Sequence, residues 1–186
     1  VDADMRRNAA QDVPILTQNF KAHDVTMVID TADDFGRYIA FNTWQAKPIV
    51  GTEGLAARGW SEVIERWGAA QLQSRFEALS GRSMRADDYA AWAAMRSVGE
   101  AVTRTGSAEA ATLRSYMLSD QFELAGFKGR ALSYRDWNGQ LRQPIPLVTD
   151  RAMVAIAPLP GFLHQQTELD TLGLDRFESR CQAFQP

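Results

Sequence analysis

From Gln11 to Lys21 the apolar positions Val13, Ile15, Leu16 and Phe20 predict a short helix. Pro14 suits its first turn, where a missing N–H costs little. Residues 1–10 are polar and charged and predict either a frayed end or the end of something longer. The run Val25-Thr26-Met27-Val28-Ile29 is apolar and β-branched, which predicts a buried strand over 24–30. A polar loop, Thr31 to Gly36, follows at its carboxyl end, where open α/β sheets place ligands. Tyr38 to Phe41 reads as a second, short extended piece. Pro48 and the glycines Gly51, Gly54 and Gly59 then predict a connection rather than an element.

Residues 60–105 read as helical. Trp60 to Trp67 predicts a short helix or turn. Leu72, Phe76 and Leu79 share one face of a helix over 69–79, and Gly81 stops it. Asp87 predicts the cap of a long helix over 88–104, with Tyr89, Trp92, Met95, Gly99 and Val102 as its packed stripe. Gly106 ends that helix, and Ser107 predicts the cap of the next, over 108–118. Beyond Phe122 the period shortens. Gly126 to Gly129 is a turn, Ala131 to Arg135 a strand, and Trp137-Asn138-Gly139-Gln140 a hairpin, because Asn-Gly tolerates positive φ. Strands over 144–148 and 153–156 follow, the first demoted by Pro144 and Pro146 to an edge strand or a loose one. The stretch 158–186 is loop-rich, with a helical turn near Leu169. The whole pattern belongs to an α/β fold.

Composition changes this picture little. The chain has 186 residues, 45% hydrophobic and 23% charged, enough for one core or two small lobes. A net charge of −3 gives no electrostatic reason to expect nucleic acid. No apolar run reaches the roughly 18 residues of a membrane span. The lone cysteine, Cys181, cannot form an internal disulfide.

Candidate chemistry is sparse. His23, His164 and Cys181 lack the spacing of a metal site, so no metal and no cofactor is expected. Asp30, Asp33 and Asp34 carry the charge to hold a hard cation, but ordinary turn and capping roles suit them better. No Gly-x-Ser-x-Gly elbow is present, and Gly51-Thr52-Glu53-Gly54 has no following Lys-Ser or Lys-Thr. Glu62 and Glu65 fit a solvated helix face. The chain therefore reads as non-enzymatic, with a weak third reading in which Asp33, Asp34 and Arg37 act as a catalytic set. The aromatic residues Phe35, Tyr38, Phe41 and Trp44 flank the loop after the central strand, with Arg37 and Asn42 between them. Such a wall either binds a small organic ligand or covers the end of the sheet.

Several blocks carry a family resemblance: HDVTMVIDTADDFGRYIAFNTW, WGAAQLQSRFEALSGRSM, DYAAWAAMRSVGEAVTRTGS, LSDQFELAGFKG, WNGQLRQPIPLV and LDTLGLDR. Together they resemble the carboxyl-terminal half of type I periplasmic solute-binding proteins of ABC transporters. The likeness is to the branch associated with PQQ-dependent alcohol oxidation. The resemblance implies a periplasmic-binding-protein type I-like fold of three-layer αβα lobes, here incomplete, with the chain crossing a hinge three times. It implies a second-lobe portion at 1–46, a helical first-lobe portion at 47–106 and a second-lobe return with carboxyl-terminal tail at 107–186. A periplasmic location, a small-molecule solute in an interlobe cleft and an ABC membrane component as partner follow from it. The solute contacts it implies are Asp33, Asp34, Phe35 and Arg37, with Asn42 and Trp44 near the hinge. Family members are about twice this length. The expectation is therefore a complementing amino-terminal half, or dimerisation through the uncovered helices of 60–105. The alternative is the same fold used as a ligand-sensing or protein-interaction module without a transport role.

Overall fold

The computed structural model describes residues 3–31, 36–52 and 54–184. They form a mixed α/β protein of helices and small sheets, in two compact units. The first comprises residues 1–57 and 147–154, the second 58–146 and 155–186. The chain thus changes unit after Ala57, after Pro146 and after Val154. Gly106, where a lobe passage was expected, is a helix cap inside the second unit.

In the first unit, α1 runs Ala3–Thr17, well upstream of the expected start. Pro14 consequently sits inside the helix rather than in its first turn. The Thr17 hydroxyl closes the last turn by donating to the Val13 carbonyl at 2.8 Å. The strand β1 is only Thr26–Val28, and of the apolar run around it Val28 alone is buried. Val25, Met27 and Ile29 are exposed, so the continuous apolar run does not mark a strand buried on both faces. Tyr38 to Phe41, expected extended, lies within the helix α2, Gly36–Asn42. The Asp30 carboxylate accepts the Gly36 N–H at 2.8 Å and so anchors the first helical amide, which is capping chemistry.

Ile49–Gly51, expected as a connection, is instead the strand β2. It pairs parallel with β1, Thr26 opposite Ile49 and Val28 opposite Gly51. Gly51 has φ 107°, and a Cβ there would lie 1.9 Å from the Val28 carbonyl oxygen. Only glycine permits this approach.

A second sheet has the order β3-β7-β8, from Ala56–Ala57, Ile145–Val148 and Met153–Ala157. The strand β7 lies in the middle, so of the two expectations for it, an edge strand or a loose one, the edge is not met, and only Pro146 of its two prolines falls within it. Pro146 has no N–H to donate, but its carbonyl accepts the Arg58 N–H at 3.0 Å. Proline is thus tolerated at a position where the ladder uses the carbonyl.

The second unit holds most of the buried residues. Trp60 to Trp67 forms turns leading into α3, Ala69–Ser80. Leu72 is buried, but Leu79 is exposed, so the expected apolar face covers only the first half of α3. Gly81 and Gly106 cap α3 and α4 in the left-handed conformation, as their positions predicted. The helix α4 spans Ala86–Thr105, capped by Arg85 rather than Asp87. Asp88, three residues into the cap motif, accepts the Arg85 N–H at 2.9 Å. Hydrogen bonds from Arg82 and from that amide hold its carboxyl down at about 2.

The buried stripe of α4 is Tyr89, Ala93, Ser97 and Ala101, a strict i, i+4 series. Met95, predicted to pack, is 72% exposed, and Val102 is also on the outside. The stripe meets the residues of the later segment, the Tyr134 hydroxyl donating to Ser97 at 2.9 Å, while α5, Ala110–Met117, also contacts α4. The aromatic core is built on Tyr89. Its ring stacks on Trp60 at 4.7 Å and 10°, and its hydroxyl donates to the Gly126 carbonyl at 2.7 Å.

Beyond α5, β4 (Leu124–Ala125), β5 (Ala131–Tyr134) and β6 (Leu141–Arg142) form an antiparallel meander in the order β4-β5-β6. The predicted hairpin at Asn138-Gly139 joins β5 and β6, with Gly139 at φ 68°. Leu132 is buried within it, as the alternation implied. The predicted turn near Leu169 is a short 3-10 helix, Glu168–Thr171.

Candidate functional site

The loop after β1 does not supply a described site. Asp33, Asp34 and Phe35 lie outside the described residues. Arg37 falls in α2, and its side chain is likewise outside what is described. Asn42 ends α2 with its amide donating to the Tyr38 carbonyl at 2.6 Å, a local helix-end bond. The Trp44 ring is 63% exposed, and its backbone N–H donates to the Thr17 hydroxyl at 2.9 Å. Both described groups have structural hydrogen bonds.

A cleft of about 1210 Å³ opens instead within the second unit. Its walls come from three places. The turn after α5 supplies Asp120, Phe122 and Glu123, and the β5–β6 meander supplies Tyr134, Asp136, Trp137 and Arg142. The segment before and after the 3-10 turn supplies His164, Asp170 and Asp175. The hairpin fixes the second group, because Gly139 reverses the chain and the Arg135 N–H donates to the Gln140 carbonyl at 2.8 Å.

One ion cluster ties the third group to the second. Asp170 is 4% exposed and lies 2.9 Å from both the Arg135 and the Arg142 guanidinium, Arg135 being 2% exposed. Arg142 bonds both Asp170 oxygens through Nε and also donates to the Tyr134 carbonyl. Arg135 donates to the Leu174 and Asp170 carbonyls at 2.6 and 2.9 Å. Burial pushes the Asp170 carboxyl up, but bonds from Thr167 and Arg142 and the charges of both arginines outweigh it, and the group ends below its ordinary value. Two guanidiniums on one buried carboxylate fasten the tail to the meander as a geometric lock.

His164 lies 2.9 Å from Asp175 through Nε2, while its Nδ1 accepts the Gln166 N–H at 3.0 Å. With Nδ1 accepting, the neutral ring must donate from Nε2 to Asp175. Both ring nitrogens are then engaged, and no lone pair is left to take a proton from a substrate. Ser119 and Ser133 line the same cleft, but the histidine is not presented to either as a base.

Comparison with family models, with curated proteins and with solved structures finds no match to this chain.

Sequence reasoning passed over this cleft. In the sequence His164 reads only against metal-ligand spacing, and Trp137 only as part of a turn. The available signal is Asp170, an acid set between Leu169 and Leu172. An acid at a buried position demands a cation, and Arg135 and Arg142 bracket the hairpin that provides two. Among the described residues no group of three or more His, Cys, Asp or Glu side chains is arranged to hold a metal ion. No helix among them is long and apolar enough to cross a membrane.

Proposed function

We propose that this chain is a non-enzymatic solute-binding module, with the solute taken by the cleft of the second unit. The observation that carries this reading is the cleft itself: about 1210 Å³, mixed aromatic and charged lining, on a meander pinned by a buried ion cluster. Small-molecule sites are concave, largely pre-formed and carry a few fixed polar groups. The engaged nitrogens of His164 support binding over acid–base chemistry.

The finer reading is a periplasmic solute-binding component of an ABC transport system linked to PQQ-dependent alcohol oxidation, with a type I-like two-lobed fold. Its support is the sequence resemblance. In that role solute binding would select one form of the protein for the membrane component.

The test is thermal denaturation of the protein against a panel of small alcohols, acids and amines. A true ligand raises the Tm, and the increment grows with the logarithm of its concentration above Kd. A panel without any concentration-dependent shift removes the solute-binding reading. One observation favours a protein-interaction module instead: Leu159, Phe162, Leu163, Leu174 and Phe177 are all exposed along the tail. Protein-dependent but solute-independent stabilisation would select it.

A further inference from the structure

If a solute occupies the cleft of the second unit, as proposed above, the charge and the rings of its lining select the solute's class. We propose that the cleft takes an organic cation, an ammonium group carried on an apolar body. The lining holds five carboxylates, Asp120, Glu123, Asp136, Asp170 and Asp175, against two guanidiniums, Arg142 and Arg176. Asp170 is matched by Arg135 and Arg142, whereas Asp175 accepts a hydrogen bond from the neutral His164 ring and keeps its charge. Asp120, Glu123 and Asp136 have no ion pair among the described residues, and neither does the exposed Arg176. The unmatched charge of the cleft is therefore negative. An anionic solute would enter against that field, whereas a cation replaces the counter-ions already drawn there.

The rings provide the other half of the recognition. Trp137 adjoins Asp136 in sequence, and both line the cleft with Tyr134 and the rim residue Phe177. Aromatic faces attract ammonium groups through their quadrupole and bury the apolar body of the solute at the same time. The cleft volume exceeds that of a small amine, so a solute carrying a ring or a chain fits it better than ammonium itself.

The experiment is isothermal titration of the 186-residue chain at low ionic strength with benzyltrimethylammonium, benzyl alcohol and benzoate. The cation is expected to bind at least tenfold more tightly than benzoate, and to weaken as salt is added. Asp136→Asn is expected to lower its affinity about fivefold, the size of one partly exposed charge contact. The triple variant Asp120→Asn, Glu123→Gln, Asp136→Asn should lose at least twentyfold. These carboxylates are exposed, so unchanged Tm and circular dichroism serve as the folding control.

Absence of heat from the cation overturns the proposal, as does a triple variant that binds like the parent. Equal binding of benzyl alcohol and the cation also overturns it, but leaves the solute-binding reading standing. That broader reading falls only with the failure of the thermal panel.

Discussion

Lys128 is the residue whose chemistry departs furthest from its ordinary behaviour. It is buried, and among the described residues its ammonium meets a neutral amide, that of Gln143, and the Tyr89 ring at 4.4 Å. Burial pushes its pKa down from 10.5 to about 7. Below pH 7 both folded and unfolded chains carry the charge, and the folded state bears the whole penalty of burying it. Between pH 7 and 10.5 the unfolded chain binds the extra proton, so stability rises with pH across that window. The Tyr89 phenol, pushed up by burial, stays neutral throughout. Lys128→Met is therefore expected to stabilise the protein at pH 6 and to lose that advantage by pH 10, as read by urea denaturation at both values.

Asp170 stabilises the fold where the charged Lys128 destabilises it, but its pH slope has the same direction, stability rising with pH. Its carboxyl lies below its ordinary value in the folded state, so its contribution is present above the unfolded pKa and lost as pH falls through the folded one. Asp170→Asn leaves the Arg135 and Arg142 charges without a counter-ion, and should cost about 3–5 kcal/mol in denaturant midpoint experiments.

At the scale of elements, the parallel pair β1–β2 depends on Gly51. Gly51→Ala meets the Val28 carbonyl and a left-handed φ together, and is expected to destabilise the first unit by more than 1 kcal/mol. On α4, Ala101→Leu should overpack a fully buried position and cost about 1–3 kcal/mol, whereas Met95→Lys on the outer face should change stability by less than about 0.5 kcal/mol. Chemical denaturation distinguishes all three.

These cases also show what the sequence made legible. The glycine stops at Gly81 and Gly106, the hairpin at Asn138-Gly139 and the turn at Leu169 were readable, because each depends on a local backbone preference. The inward stripe of α4 was not. Hydrophobicity pointed to Trp92, Met95 and Val102, while the side chains buried beside Tyr89 are the small Ala93, Ser97 and Ala101, and the long-range partner of Ser97 is Tyr134. Strand β2 was missed because Pro48 and Gly51 read as punctuation, whereas Gly51 is what allows the strand to pair. The candidate cleft was illegible for a similar reason. Its ion cluster joins residues 28 and 35 positions apart, and no periodicity spans that distance.

At the scale of the whole molecule, burial is uneven. Among the described residues the buried hydrophobic ones of the first unit are Val13, Val28 and Val148, while Trp60, Ile64, Tyr89, Phe122, Leu124 and Leu132 belong to the second. Opening free energy follows buried apolar contact, so amide hydrogen exchange should be slowest in α4 and β5 and markedly faster in β1 and β2. Equal protection in both units would contradict this distribution. Two exposed valine and methionine positions beside β1, Val25 and Met27, fit the same picture of a thinly covered sheet.

The sequestered amine of Lys128 has a practical corollary. The chain has three lysines, and of these Lys21 is exposed and Lys47 half-buried, while Lys128 is sealed by Tyr89 and Gln143. An acylating reagent will mark the first two quickly and the third only when the second unit opens. The slow arrival of that third label, followed by peptide mass mapping, turns Lys128 into a built-in stopwatch for the breathing of the aromatic core.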